Sequence, residues 1–439
     1  MSTAGSGAER PTERAAPTWK ADSEGDGYRY AVLDQAVVSG GNFLSLAIPA
    51  HFVSAGDQGV LGYLLAIYAA TIVLNLAVVY YWGGVAAPQK SSPDRYLAVL
   101  GVLAGLVALP AALLGAATLF ALVSASGAAT SPTAAPLWAA FLLLAQVQDF
   151  GRRSAYLFSG ARRAMGLDLL AYGLRMVLLL GLRPSNAPLA IAVLALSLVP
   201  TAVITTARSI PSIRAHRAGI LADVRIHLRE TRWLLLNAPA QWLWAQLPLF
   251  VVGLAGGLPQ AGIFATVSSL ARMGNAGMEI LETRVSAVAG RLMASGGRIQ
   301  VEGHMRRIRL VGLGAWLVGA VFVIVLGQPV LALLFSSTYA TAPAHLLLEV
   351  LWLAQLPIFL FRVDEIVVRT IGRTGRLALA YYSGIAISTA VGVAAASVYH
   401  VMGGALQLLV EAVVILILMR AALFASDGTP RVDGQGALA

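Results

Sequence analysis

The chain has 439 residues, of which 58% are hydrophobic and 12% charged, with a formal net charge of +10 and no cysteine. A soluble fold of this composition would leave too much apolar surface in water, so most of the chain must face lipid. The lack of cysteine excludes thiolate catalysis, zinc–thiolate sites and disulfides. The basic residues are spread over short polar segments, as expected beside anionic lipid headgroups, and do not indicate a nucleic-acid partner.

The chain begins and ends with polar segments that have no apolar period. This composition predicts disordered cytoplasmic tails over residues 1–29 and 425–439. Between the tails, apolar stretches recur, many of them long enough for the roughly 20 residues that a membrane-spanning helix needs. We place twelve spans near residues 31–53, 59–82, 95–119, 135–157, 166–183, 187–207, 233–254, 260–287, 309–334, 343–361, 376–398 and 403–424.

The basic residues alternate strongly between the two sides of these spans. All but four of the 31 Lys and Arg residues lie in the tails and in every second gap. Because basic loops stay in the cytoplasm, both termini are predicted to be cytoplasmic. The four exceptions are Arg175, Arg183, Arg272 and Arg284.

The longest polar connection, residues 208–232, divides the chain into two halves. Its apolar residues alternate with six arginines, which is typical of a basic amphipathic helix on the inner leaflet. The sequence therefore predicts an all-α polytopic membrane protein of about twelve transmembrane helices. Residues 30–207 and 233–424 are expected to form two six-helix lobes around a central cleft, joined by this linker.

The predicted eighth span carries charged residues inside the membrane. Ser268, Arg272, Asn275, Glu279 and Glu282 follow spacings of 4, 3, 4 and 3, which places them on one helical face. Charged side chains are costly in hydrocarbon and rarely point at lipid. This face is either a polar wall for a hydrophilic substrate or an internal charge network that joins helices.

Two further spans carry uncharged polar faces at equivalent places in the two halves. Asn237, Gln241 and Trp244 share a face of the seventh span, and Gln35 and Asn42 share one in the first. Amides and an aromatic ring suit the hydroxyls and apolar faces of a sugar. Amides also join membrane helices by hydrogen bonds, and both interpretations remain open.

Three weaker signals complete the candidate site. Arg175 shares a face of the fifth span with Asp168 and either binds phosphate or pairs with that acid. Glu411, in the middle of the last span, either carries a coupling proton or bonds a neighbouring helix. The histidines have no metal-site spacing, and the chain has no nucleotide-binding Walker motif, so neither a metal nor a cofactor is expected.

Two segments resemble bacterial polysaccharide flippases, a family within the superfamily of multidrug, oligosaccharidyl-lipid and polysaccharide transporters. The first is the run from "LDQAVVSGGNFLSLAIPAHF" to the loop "SAGDQG", and the second is "QDFGRRSAYLFSGARRAMGLDLLAYGLRM". The resemblance spans residues 30 to 424 and implies a V-shaped pair of six-helix lobes in a bacterial plasma membrane. The residues that carry it are Asp34, Gln35, Asn42, Phe43, Gly56, Asp57, Gly59, Arg152, Arg153, Arg162, Arg163 and Asp168.

The resemblance implies a flippase that moves an undecaprenyl-diphosphate-linked oligosaccharide from the inner to the outer leaflet by alternating access, for cell-surface polysaccharide synthesis. Arg272 would meet the diphosphate, and a glycan polymerase or export machinery would be a partner. An ion-coupled multidrug or cation antiporter is the first alternative, although acids should then dominate the cleft. A membrane glycan polymerase or glycosyltransferase is the second, although the outer loops are short and almost uncharged. We therefore expect a transporter and not an enzyme.

Overall fold

A computed structural model describes residues 24–80, 92–125, 134–273, 276–371 and 374–424. Of the predicted tails 1–29 and 425–439, residues 1–23 and 425–439 lie outside these ranges. Within them the chain is helical, joined by short turns, and it forms two six-helix lobes around a central cleft. The predicted all-α, polytopic, two-lobed fold is confirmed.

The first half of the chain forms six helices. The predicted boundary of the first tail at residue 29 is wrong, because residues 24–29 belong to the first helix, which begins at Glu24. The helices are α1 (Glu24–Ala47), α2 (Ala55–Asn75, continued as a π-helical turn over Leu76–Tyr80), α3 (Pro93–Ala125), α4 (Ala134–Phe158), α5 (Ala161–Leu182) and α6 (Ala187–Ala215).

The second half contains two very long helices, each bent at a glycine. These are α7 (Ile220–Arg272) and α8 (Ala276–Leu334), followed by α9 (Ala342–Thr370), α10 (Thr374–Tyr399) and α11 (Val401–Phe424). Gly257 bends α7 with φ of 77°, and Gly297 bends α8 with φ of 67°, a region that glycine enters without steric cost. The bend at Gly257 separates the predicted seventh span from the predicted eighth, and the bend at Gly297 separates the eighth from the ninth.

Side chains at the loop ends fix where several helices begin. Ser54 accepts a hydrogen bond from the backbone N–H of Asp57 at 3.1 Å, and Asn186 accepts one from Leu189 at 3.0 Å. Each cap satisfies a backbone donor that the first helical turn leaves free. The short loops before α2 and α6 are therefore defined by sequence.

Ten helices among the described residues are long and apolar enough to cross a membrane. Helix α4 is not among them, because its apolar run ends in Gln146, Gln148 and Asp149. These three side chains are buried inside the first lobe. A helix that turns its polar residues inward can still face lipid with its apolar side. The ten apolar helices make the chain a multi-pass membrane protein.

Where the sequence predicts a linker, the structure places the end of α6 and the beginning of α7. Ile220, Val224 and His227 are buried against α2 and α3. The His227 Nε2 atom lies 2.6 Å from the carbonyl oxygen of Val78, and Asp223 pairs with Arg95 at 2.7 Å. The remaining face of this segment is mostly exposed, as in an amphipathic helix. Its contact with a membrane surface stays a prediction.

Candidate functional site

A cavity of about 370 Å³ lies between the two lobes. Helices α1 and α2 of the first half form one wall, and helices α7 and α9 of the second half form the other. Its lining residues include Ser39, Asn42, Phe43, Leu46, Tyr68, Ile72, Trp244, Gln246, Leu249, Ser268, Ser269, Arg272, Ile358 and Arg362. The sequence predicts a central cleft, and four residues of its predicted polar faces, Asn42, Trp244, Ser268 and Arg272, line this one.

Arg272, the last residue of α7, lies on the cavity wall, and its described hydrogen bonds are all to uncharged groups. It donates to the backbone carbonyl of Ala245 at 2.5 Å and to the Gln246 side-chain oxygen at 3.5 Å. No carboxylate among the described residues interacts with its guanidinium. The positive charge at this wall therefore has no described counter-ion.

Arg362 brings a second positive charge to the cavity from α9. Its guanidinium lies over the Trp244 ring at 5.3 Å and pairs with Glu365 at 3.2 Å. Trp244 in turn packs edge-on against Phe361 at 5.4 Å. Cations over an indole face are attracted by the ring quadrupole, so this arrangement fixes both side chains at the cavity.

The sequence pattern does not predict Arg362 as a site residue. The predicted tenth span ends at residue 361, which assigns Arg362 to a basic loop, whereas α9 continues to Thr370. The sequence signal that could have shown that this helix continues is the spacing between Arg362, Glu365 and Arg369, which allows ion pairs along one helical face. Helix α9 thus remains helical beyond its apolar run because its charges are paired.

The rest of the cavity is largely apolar. Phe43 and Leu46 of α1, Ile72 of α2, Leu249 of α7 and Ile358 of α9 contribute aliphatic or aromatic surface. Among the described lining residues there is no carboxylate. The cavity therefore combines apolar walls with two guanidinium groups and a few hydroxyls and amides.

Asn42 is held on the cavity wall by a neighbouring helix. Its side-chain oxygen accepts a hydrogen bond from the Tyr172 hydroxyl at 3.0 Å. Ser39, one turn before Asn42, also lines the cavity, and Gln35, two turns before Asn42, donates a hydrogen bond to Ser39 at 3.1 Å. Gln35 itself is not among the described lining residues. It positions a cavity hydroxyl and does not form part of the wall.

The predicted seventh-span face is only partly at the cavity. Trp244 lines it, but Asn237 and Gln241 are not among the described lining residues, because they lie two turns and one turn, respectively, nearer the start of α7. The amide oxygen of Asn237 is buried and has no hydrogen-bond partner among the described residues. The helical spacing is right, but the cavity covers only one end of this face.

The predicted pair between Arg175 and Asp168 is wrong. Asp168 instead pairs with Arg152 at 2.6 Å. Arg175 donates to the hydroxyls of Ser45 at 3.0 Å and Ser197 at 3.3 Å, behind the cavity wall. Helical spacing gives the face of α5 correctly but not the neighbouring helix that each residue meets. The placement of Arg175, away from the described cavity lining, also does not support a phosphate contact.

Three predicted residues cannot be placed. Asn275 is not among the described residues, and the side chains of Glu279 and Glu282 are not described either. Among the described residues, no group of three or more His, Asp or Glu side chains is arranged to hold a metal ion. Glu411, the predicted coupling residue, is fully buried in the second lobe and is not among the described cavity-lining residues.

The lobes touch each other at one end of the cavity, near the start of α2. A Cβ atom at Gly59 would overlap the backbone oxygen of Leu258, so the helices can approach this closely only with glycine there. The His51 ring lies 3.0 Å from the carbonyl oxygen of Leu334, the last residue of α8. We call this end, where residues 51–59 meet residues 258 and 334, the closed end.

No protein-family model matches the sequence, and no curated protein matches it. Solved structures do match along nearly the whole chain. An inward-facing multidrug resistance MATE family transporter of the MOP superfamily is 16% identical, with 94% of this chain and 98% of that chain covered and a TM-score of 0.65. The outward-facing conformation of such a transporter gives 15% identity, 89% and 92% coverage and a TM-score of 0.59.

A third similar structure is a MOP superfamily transporter from Pyrococcus furiosus, described by the reverse polarity of its binding pocket. It is 14% identical, with 90% of this chain and 96% of that chain covered and a TM-score of 0.62. At these identities the likeness concerns the fold. The chain has the two-lobed, twelve-span fold of MATE transporters of the MOP superfamily.

Proposed function

We propose that this chain is an alternating-access exporter of small amphipathic organic anions in a bacterial plasma membrane. The observation that carries the proposal is Arg272, a cation at the cavity wall without a described counter-ion. A membrane protein seldom keeps an uncompensated charge away from water without a functional reason. An anion in the cavity would compensate this charge.

The shape and chemistry of the cavity favour a drug-sized ligand. Its volume of about 370 Å³ lies in the range of small-molecule pockets, which are mostly apolar with a few polar groups that fix orientation. Apolar walls would hold the body of the substrate, and Arg272 with Arg362 would hold its charged end. A cationic substrate would meet two guanidinium groups and no described carboxylate, so the charge of the cavity disfavours it.

Closure at one end supports alternating access. The lobes meet at Gly59 and Leu258, while the positive-inside rule assigns that end to the outside and both termini to the cytoplasm. In this orientation the described conformation is inward-facing. Rocking of the two lobes would then open the opposite side of the same cavity.

The comparisons favour small-molecule export over glycan export, since two of the similar structures are described as multidrug resistance transporters. A lipid-linked oligosaccharide remains the second candidate, and the hydroxyl and amide groups beside Arg272 favour it. Ser268, Ser269 and Asn42 would bond sugar hydroxyls while Arg272 met the diphosphate. A glycan polymerase or export machinery would be the partner in that case.

Binding of two matched dyes to the purified protein tests the proposed substrate charge. Sulforhodamine B and rhodamine 6G share a xanthene ring system but carry opposite net charge. We expect fluorescence anisotropy to show saturable binding of sulforhodamine B that is lost in Arg272→Ala and kept in Arg225→Ala, where the replaced arginine is exposed. Preferential binding of rhodamine 6G would overturn the proposed charge selectivity.

The second candidate is tested by a flipping assay in proteoliposomes. A fluorescently labelled undecaprenyl-diphosphate disaccharide is placed in the membrane, and a membrane-impermeant reductant bleaches the outer leaflet. Protein-dependent bleaching of the inner-leaflet pool, without binding of sulforhodamine B, would select the glycan flippase. Dye binding without lipid flipping would select the small-molecule exporter.

A further inference from the structure

The described part of the chain contains six buried acidic side chains, and five of them pair with arginine. These pairs lie in both lobes, so neutralisation by a guanidinium is the general arrangement for buried acids in this protein. Arg152 pairs with Asp34 and Asp168, Arg153 with Asp149, Arg309 and Arg420 with Asp364, and Arg362 and Arg369 with Glu365.

Glu411 is the sixth acid and has no such pair. It is 0% exposed, and neither carboxyl oxygen has a hydrogen-bond partner among the described residues. One turn earlier on α11, Gln407 is also 0% exposed, with both side-chain polar atoms unbonded within the described ranges. Two adjacent polar side chains are therefore buried without the hydrogen bonds that normally compensate burial.

The described surroundings of Glu411 contain few polar groups and no charge. Helix α11 packs against α7, α9 and α10. The polar group that faces the carboxyl is the hydroxyl of Ser388 on α10, and no charged group of the described part of these helices acts on it. Gln407 packs against Gly392 of α10, where a larger residue would occupy its place.

The depth of Glu411 places it far from both membrane surfaces. It stands near the middle of the 24-residue helix α11. At 1.5 Å per residue, the carboxyl group lies about 15 to 20 Å from the two ends of the helix. A charge at such a depth is costly without a counter-ion, whereas a neutral carboxylic acid is not.

We propose that Glu411 is a proton-binding site that couples export to the proton gradient, with Gln407 and Ser388 as its polar neighbours. This inference rests on the proposed exporter function. The carboxyl group holds a proton while the second lobe is in the described conformation. Rocking of the lobes changes the surroundings of α11 and exposes the carboxyl to water, where it releases the proton as the carboxylate.

The ligand set favours a proton over a metal cation. Hard cations take several oxygen ligands, and sites that hold them usually include more than one carboxylate. Glu411 offers one carboxyl group, beside one amide and one hydroxyl, among the described residues. A single carboxyl with so few oxygens around it suits a proton.

Infrared difference spectroscopy on the purified full chain tests the site without a substrate. We expect the wild type to show the C=O stretch of a protonated carboxyl, which is lost on titration to high pH as carboxylate bands replace it and which is missing in Glu411→Gln. The variant Glu349→Gln, which removes a more exposed acid on α9, should keep the band. Identical spectra for the wild type and Glu411→Gln would overturn the proposal, as would loss of the band on replacing KCl with NaCl.

Transport in proteoliposomes separates the coupling proposal from the exporter proposal. With an imposed pH gradient, sulforhodamine B should accumulate through the wild type, while Glu411→Gln should lose this accumulation but keep dye binding and passive equilibration. Unchanged accumulation in Glu411→Gln would overturn the coupling role. If the wild type neither binds nor moves the dye, the exporter proposal fails, and the infrared titration alone then decides whether Glu411 binds a proton.

Discussion

Arg272 donates a hydrogen bond to the backbone carbonyl of Ala245 at 2.5 Å, and no described carboxylate pairs with it. The bond joins the two arms of α7 on either side of the bend at Gly257. It aligns the guanidinium along the cavity wall without neutralising it. Arg272 is thus held in position by the backbone and left charged toward the cavity.

The first prediction concerns this arginine. Arg272→Ala should abolish transport of sulforhodamine B in proteoliposomes. Arg272→Lys should retain part of the transport, because lysine keeps the positive charge but lacks the planar set of N–H donors of a guanidinium group. Thermal stability of Arg272→Ala should equal or exceed that of the wild type, since the variant removes a partly buried charge that has no counter-ion among the described residues.

Arg225→Ala is the matched control, because Arg225 lies on the exposed face of α7. It should leave both transport and stability unchanged. A large loss of thermal stability in Arg272→Ala, with dye binding intact in the folded fraction, would assign Arg272 a structural role instead.

The second prediction concerns the ion pairs of the first lobe. Arg152 pairs with Asp34 at 2.9 Å and with Asp168 at 2.6 Å, and both acids are fully buried. Arg152→Ala leaves two buried carboxylates without a cation, so it should lower stability by about 3–5 kcal/mol. Thermal unfolding in detergent measures the loss, and adding Asp168→Asn should restore part of it.

Arg95→Ala serves as the comparison for this variant. Arg95 pairs with Asp223 at 2.7 Å, but both side chains are about a third exposed or more. Such exposed pairs contribute at most about 1 kcal/mol. Equal losses in Arg95→Ala and Arg152→Ala would show that burial of the Arg152 cluster does not stabilise the lobe.

The membrane spans could be predicted because the length of an apolar run and the distribution of arginine are both properties of the sequence and do not depend on how the helices pack. The predicted span boundaries are wrong where a helix continues through polar residues inside the protein. Helix α9 runs past residue 361, where Arg362 and Arg369 both pair with Glu365. Helix α7 continues through Gly257 as a bend, which hydropathy alone does not distinguish from a loop.

The candidate site was predictable only in part. Periodicity brings Ser268 and Arg272 to one face, and both line the cavity. Arg175 shares a face with Asp168, yet each meets a different helix, because spacing along one helix carries no information about its neighbours. The place of Arg362 at the cavity depends on the packing of α9 beside α7, which sets its guanidinium over Trp244 and which the sequence alone does not give.

The third prediction tests the movement of the two lobes with a disulfide. A Cβ atom at Gly62 would lie 2.6 Å from the Cβ of Ala265, across the cavity wall between α2 and α7. Cysteines at these positions are close enough to bridge after a small shift of the backbone. The chain has no other cysteine, so oxidation of the double variant should stop transport, and reduction should restore it.

Each single cysteine variant should transport equally well under oxidising and reducing conditions. Full transport by the oxidised, cross-linked protein would contradict alternating access, because the bridge prevents this face from opening.

The fourth prediction concerns Trp244. Trp244→Ala should weaken sulforhodamine B binding more than Trp244→Phe does, because phenylalanine preserves an aromatic face for Arg362, which lies 5.3 Å away. Cation–π contacts contribute about 0.5 to 2 kcal/mol, so we expect a clear difference between the two variants in a fluorescence anisotropy titration. Equal binding by both would mean that the ring does not hold Arg362 at the cavity.

The fifth prediction fixes the orientation in the membrane. Single cysteines in the loops near Asn186 and Ser337 should react with an impermeant thiol reagent in intact cells, whereas a cysteine at Arg217 should react only after the cells are broken. The reason is that arginine-rich loops stay in the cytoplasm. Labelling at Arg217 in intact cells would reverse the topology and would make the described conformation outward-facing.

The central claim is that the cavity moves small organic anions, and uptake of the matched dyes by proteoliposomes tests it most directly. Reconstituted protein should move sulforhodamine B in preference to rhodamine 6G, and Arg272→Ala should reduce the sulforhodamine B signal to that of protein-free vesicles while Arg225→Ala does not. Transport of rhodamine 6G in preference to sulforhodamine B, unaffected by Arg272→Ala, would contradict the account.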